Sequence, residues 1–190
     1  RSPSRGLGDV YKRQFLFNTL NTLYALVLSG SDKTESAFVK FSGILRYMYS
    51  QSSSEFIPAE QEVDYIRQYV DLQKLRLNHH TQVELTTEIS NGQVPIPPMI
   101  LITFVENAFK YGSSADTDCT IRLRIQADEK LFLFQTENAI MNIPKEKGHG
   151  IGIANCRKRL ELLYPGRYTL QTDETDGIYR VKLEIRIKEE

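Results

Sequence analysis

Near residue 80 the spacing of apolar side chains changes from three and four to two, and this change constrains the fold more than any other feature of the chain. Before it, Leu16, Leu20, Leu23 and Val27 recur at helical steps, followed by Phe38, Phe41, Leu45 and Met48, then by Val63, Ile66 and Val70. Each set forms one apolar stripe on one helix. Gly30 separates the first two helices, and Ser31, Asp32 and Glu35 offer the second a cap and a first-turn acid. Pro58, with Glu60 and Glu62 behind it, suits the first helical position of a third segment that ends near Asn78–His80. After the change, Val83, Leu85, Thr87 and Ile89 alternate with polar neighbours as a half-buried strand would, so a domain boundary is expected near residue 80.

The second half continues as strands and helices in separate runs. Pro95, Pro97 and Pro98 forbid a continuing strand and suit the start of a helix that Gly112 closes. Ile121, Leu123 and Ile125 alternate with Arg122 and Arg124, and Asp128-Glu129-Lys130 turns the chain into the apolar run 131–134. A helix is expected to begin near Asn155. A last hairpin pairs 168–172 with 178–187, where Tyr179, Val181, Leu183, Ile185 and Ile187 share a face. The order helix, two strands, loop, helix, two strands fits an α+β layer sandwich, not a doubly wound parallel sheet.

Composition narrows the function. The 190 residues are 41% hydrophobic, enough for one or two compact units, and the formal net charge is zero. That balance argues against a nucleic-acid binder working by overall phosphate neutralisation. No apolar run approaches the roughly 18–20 residues of a membrane helix, and no signal segment opens the chain, so this piece is expected to be soluble. Cys119 and Cys156 lie far apart, and with His79, His80 and His149 they make neither zinc spacing nor a disulfide framework, which points to a reducing, cytoplasmic setting.

Two motifs carry chemistry. FVENAFKYG at 104–112 sets Glu106, Asn107 and Lys110 on one short helix, and GHGIGIANCRKRL at 148–160 sets Gly148, Gly150 and Gly152 ahead of another. An Asn oxygen can ligate Mg²⁺, a Lys can sit on phosphate oxygens, and side-chain-free backbone N–H groups at a helix N-terminus can cradle a polyphosphate. Taken singly, a solvated E-N-x-x-K face and ordinary turn glycines account for each motif equally well. His149 within the glycine loop reads as a solvated loop residue, and His79 and His80 as linker residues.

In order and spacing the two motifs resemble the N box and glycine-rich G2 box of the GHKL ATPase superfamily. With FLFNTLNTLYAL at 15–26, FSGILRYMY at 41–49, EVDYIRQYVDLQKLR at 62–76 and PIPPMIL at 95–101, the chain most resembles LytS/YehU-type sensor histidine kinases over about residues 15–187. The resemblance implies a helical dimerisation hairpin with the phosphoacceptor at 15–80, followed by a Bergerat-type ATP-binding catalytic domain at 81–190. It implies ATP and Mg²⁺ as cofactors, with Asn107 as the Mg²⁺ ligand, Glu106 orienting or deprotonating the attacking group, and Lys110 reaching a phosphate oxygen. Gly148, Gly150 and Gly152 would cradle the phosphates. Asn138 stands where the superfamily usually has the Asp that accepts from the adenine amine, and an Asn carbonyl can accept the same bond without charge. Residues between Ala139 and Lys147 would form a compact ATP lid. The implied partners are a second copy and a response regulator of the LytTR type, and the implied location is the cytoplasmic portion of a protein whose membrane sensor lies upstream.

One residue departs from the family. LytS-type kinases carry the phosphoacceptor His immediately before the FLFN run, and here that position is Gln14, whose amide cannot form a phosphoramidate. The leader RSPSRGLGDVYKRQ also lacks the apolar helical pattern, so residues 1–14 read as an atypical, non-native leader on a truncated kinase core. The alternatives are an ATP-binding pseudokinase that signals by conformation, a GHKL ATPase in which Glu106 activates water, and a GHKL serine kinase acting on a separate protein.

Overall fold

The computed structural model describes residues 3–50, 54–142 and 151–187, with the backbone alone for residues 3–11, 14 and 151. Helix α1 (Pro3–Leu28) turns at Gly30, in the left-handed region at φ 63°, into α2 (Thr34–Ser50). Strand β1 (Ile57–Pro58) leads into α3 (Ala59–Lys74), then come β2 (Thr81–Ile89), β3 (Pro95–Ile96) and α4 (Ile102–Gly112). Strands β4 (Cys119–Ala127) and β5 (Leu131–Ala139), helix α5 (Ile151–Leu163), and strands β6 (Tyr168–Thr175) and β7 (Ile178–Arg186) complete the chain. The expected change of period therefore falls at the passage from α3 to β2.

Five strands form one sheet in the order β2-β4-β5-β7-β6, parallel between β2 and β4 and antiparallel elsewhere, while β1 and β3 pair separately. Both expected hairpins are present. Asp128 closes the first by accepting from the N–H groups of Lys130 (2.7 Å) and Leu131 (2.8 Å). Ile121, Leu123 and Ile125 of β4, Phe132 and Phe134 of β5 and Val181, Leu183 and Ile185 of β7 are buried on the sheet face that α4 covers. The opposite face carries an ion-pair ladder, Glu84–Arg122–Glu137–Arg180–Asp173, so the sheet is apolar on one side and solvated on the other. The architecture is α+β, as the segregated pattern implied.

The helical half departs from its expected stripes. On α1 the buried side chains are Phe15, Thr19, Leu23 and Leu26, while Leu20 (45% exposed) and Val27 (49%) face outward with Phe17 and Tyr24. This helix has apolar residues on two faces, and packing within one chain covers only the one against α2 and α3. On α2 the buried set is Ala37, Phe41, Ile44 and Met48; Phe38 is exposed and Leu45 half-buried, so the buried stripe runs through Ala37 and Ile44 in place of Phe38 and Leu45. Val63, Ile66 and Val70 of α3 are buried as expected. Pro58 is the N-cap of α3, not its first helical residue, and α3 ends at Lys74, before the expected Asn78–His80. The backbone of α1 also runs back through residues 3–14, the segment whose sequence lacks a helical pattern.

Candidate nucleotide site

Helix α4 owes its place to its apolar face. Ile102, Phe104, Val105, Ala108 and Phe109 are buried, Phe104 against Phe134 of the sheet, and burying each Phe contributes about 1.5–3 kcal/mol. Glu106 and Asn107 are left half-buried and Lys110 exposed, with its ammonium 5.2 Å from the centre of the Tyr111 ring. The residue at the N-cap position, Leu101, offers no side-chain cap. Glu62 of α3 supplies the acceptor instead: Oε1 takes the Leu101 N–H at 3.1 Å and Oε2 the Met99 N–H at 2.9 Å.

Glycine allows two close approaches that tie α4 to its neighbours. A Cβ at Gly112 would fall 2.6 Å from the Asn138 Cβ and 2.8 Å from its Cγ, so the end of α4 sits directly on Asn138 of β5. A Cβ at Gly152 would fall 2.8 Å from Thr103 Cγ2, so the first turn of α5 lies against the first turn of α4. Gly152 thus serves helix packing. Its helix begins at Ile151, four residues before the expected Asn155, because this contact and the half-buried Ile153 hold the extra turn. At the other end, the N–H groups of Met141 (2.8 Å) and Asn142 (3.1 Å) donate to Tyr111 O, and Asn142 Nδ2 donates to Ser113 O at 2.8 Å. Asn142 therefore lies at the C-terminal end of α4 and Gly152 at its N-terminal end. Gly148, His149 and Gly150, and most of the expected lid, lie outside the described residues.

At about 100° per residue, Thr103, Asn107 and Lys110 fall within about 60° of one another on α4, the face that meets α5. Glu106 and Phe109 turn towards α3. The Phe109 ring meets Tyr69 edge-on at 6.0 Å, and the Tyr65 and Tyr69 phenols are raised well above their ordinary range, first by burial, then by the charge of Glu62 on Tyr65 and of Glu106 on both. Phe15 of α1 packs on the same two tyrosines at 6.2 and 5.6 Å. Position 14, whose side chain is not described, is the neighbour of Phe15 on that helix.

Asn138 is 1% exposed. Its Nδ2 donates to Ala139 O at 2.9 Å, while its Oδ1 is one of two buried side-chain polar atoms without a hydrogen-bond partner among the described residues, the Tyr65 hydroxyl being the other. A buried acceptor left so is costly and fits a donor supplied by a ligand. A groove of about 440 Å³ lined by Arg122, Arg124, Glu137 and Arg180 lies on the solvated face of the sheet and holds none of the candidate residues. Sequence reasoning missed Glu62, Tyr47 and Arg159: the first passed for a helix-start acid, yet it is fully buried and bonded by the Tyr47 hydroxyl, with Arg159 in its field.

A family model described as Histidine kinase matches residues 11–81. "Sensor histidine kinase BtsS" of Escherichia coli (strain K12) is 28% identical over 180 residues, covering 93% of this chain and 32% of that protein. "Sensor protein LytS" of Enterococcus faecalis is 27% identical over 194 residues with the same shares. Over most of its length the chain is similar to sensor histidine kinases. In fold, the chain resembles the catalytic domain of histidine kinase ThkA (TM-score 0.51, 15% identity, 70% of this chain and 96% of that one). It also resembles the histidine kinase domain of a blue-light activated kinase from Erythrobacter litoralis (TM-score 0.52, 11% identity, 82% and 75%). The chain spans about a third of the length of the curated relatives it matches. Among the described residues, no helix is long and apolar enough to cross a membrane.

Proposed function

We propose that this chain is the ATP-binding kinase core of a two-component sensor, with α1 to α3 as the dimerisation and phosphoacceptor region and residues 81–190 as the catalytic domain. The unpartnered, buried Oδ1 of Asn138 carries the reading: it is an acceptor at the end of α4, aimed at a ligand donor such as the adenine 6-amino group. Asn107 would hold Mg²⁺, which supplies charge neutralisation on the phosphates when bound. Lys110 and the backbone around Gly148, Gly150 and Gly152 would bind phosphate oxygens. Glu106 faces the aromatic cluster on which Phe15 rests, so it suits the role of proton acceptor for a nucleophile carried on α1.

In the parent reaction a histidine nitrogen attacks the γ-phosphorus, the bond from phosphorus to the β,γ-bridging oxygen breaks, and ADP leaves with that electron pair. The imidazole proton passes to Glu106. A response regulator Asp then takes the phosphoryl group. Gln14 has no nucleophilic ring nitrogen, so the chain with Gln14 is expected to bind ATP without labelling, which is also what a pseudokinase would do. The exposed Phe17, Leu20, Tyr24 and Val27 stripe suits a second copy, and the parent's sensor would lie in the membrane.

Two measurements test this. Calorimetry should find Mg-dependent ATP binding by the chain. The Gln14→His variant, with an apolar helical sequence replacing residues 1–13, should acquire an acid-labile, alkali-stable label that Glu106→Gln abolishes. Absent ATP binding would sink the reading; a repaired, ATP-bound dimer that stayed unlabelled would favour the pseudokinase.

A further inference from the structure

Glu62 stands on the first turn of α3 with no exposed surface. Its carboxylate accepts three hydrogen bonds from two directions: the N–H groups of Met99 and Leu101 in the turn ahead of α4, and the Tyr47 hydroxyl of α2. Met99 has φ 58°, a left-handed conformation that strains a side-chain-bearing residue, so the turn depends on such bonds to keep its shape. Arg159 of α5 donates to Pro98 O at 2.6 Å in the same turn, and its charge acts on Glu62. Elements from both halves of the chain therefore meet at one buried carboxylate.

Glu106 and Asn107 lie only five and six residues beyond Leu101 on the continuous helix α4. Whatever sets the Met99–Leu101 turn sets those side chains. The turn is bonded to α2 through Glu62 and Tyr47, while the exposed Lys40–Asp71 pair links α2 only to α3. The Tyr47 ring is held independently by stacking on Tyr65 at 4.3 Å.

We propose that Tyr47 and Glu62 are positioning residues: their hydrogen bond couples α2 to the N-terminus of α4, so that the helical hairpin and the occupancy of the nucleotide site bias one another. This rests on the reading of α4 as the nucleotide helix. Because binding linkage is reciprocal, nucleotide must then alter α2, which none of the candidate nucleotide-binding residues belongs to.

The test is hydrogen exchange on the whole chain with and without saturating Mg-ATP, with affinity followed by calorimetry. In the wild type, nucleotide is expected to raise protection of residues 41–50 about fivefold, the low end of ordinary coupling. Tyr47→Phe keeps the stacked ring and removes the hydroxyl; it should abolish that gain while still binding ATP, with the dissociation constant raised by no more than the same factor. Glu62→Gln should also abolish it. A purely structural role would lower protection in the absence of nucleotide and leave the ATP-induced gain in place, and that result overturns the proposal. So does wild-type α2 that ignores bound ATP. If the wild type fails to bind ATP at all, the functional reading falls and the coupling with it, an outcome that calorimetry separates from the others.

Discussion

Replacing Asn138 by alanine is expected to erase discrimination between ATP and ITP, which carries a 6-oxo acceptor where ATP has a 6-amino donor. Among the described residues Asn138 Oδ1 is buried without a donor, and an acceptor left so costs about 1–3 kcal/mol. A ligand amine that reaches it recovers that amount. At 1.4 kcal/mol per decade the recovery corresponds to roughly 5- to 150-fold in affinity. ITP would instead set one acceptor against another and gain nothing. Asn138→Ala removes the orphaned oxygen together with the Nδ2 bond to Ala139 O, worth about 1 kcal/mol, so the two changes in the free protein nearly cancel and the melting temperature should move by only about 2–4 °C. Calorimetric titration of both nucleotides at fixed Mg²⁺ should give a wild-type preference for ATP within that range and a ratio near one in the variant. A folded Asn138→Ala protein that kept the wild-type ratio would refute the assignment.

Gly112→Ala should be destabilising by about 1–3 kcal/mol in urea unfolding, because its Cβ would overlap Asn138 at 2.6 Å, and it should weaken ATP binding by displacing that side chain. Asn107→Ala should weaken Mg-ATP binding with the fold intact; unchanged affinity would remove Asn107 from the site. Leu20→Lys with Tyr24→Lys should leave the chain monomeric by light scattering at roughly tens of micromolar, where the wild type is expected to be a dimer. Burial raises the Glu62 carboxyl above its ordinary 4.5 despite the bonds from Tyr47, Met99 and Leu101. An acid with a raised folded pKa contributes stability that is full below its unfolded pKa and is lost as pH rises through the folded value. Urea midpoints of the wild type should therefore fall relative to Glu62→Gln as pH increases from about 4.5, and parallel profiles would contradict this.

Where a structural cause is local, the sequence displayed it. The alternation in 121–125 and 178–187 mirrors a sheet with one wet face, and Asp128 closes its hairpin with backbone bonds two and three residues ahead. Pro97 and Pro98 before an apolar run marked α4 for the same reason. The α1 stripe was harder to read, since two apolar faces interleave along one helix and only tertiary packing selects Phe15, Thr19, Leu23 and Leu26. Nothing near Glu62 in the sequence distinguishes it from Glu60, which stays exposed. The difference arises from Met99 and Leu101, 37 and 39 residues away, whose N–H groups meet only one of the two carboxylates.

Glu106 and Asn107 show how adjacency in sequence becomes division of labour in space. Neighbours on a helix diverge by about 100°, so one residue cannot serve the partner of the other without unwinding α4. Here the divergence falls on a boundary: α3, with Phe15 of α1 behind its tyrosines, lies on the Glu106 side, and the first turn of α5 lies on the Thr103–Asn107 side. On the proposed roles a proton acceptor would sit next to the attacking group and a metal ligand next to the phosphates, and among the described elements α4 borders both regions. Its orientation is therefore the quantity on which transfer would depend. The turn that sets this orientation is held by the buried Glu62 carboxylate, beyond the reach of either motif.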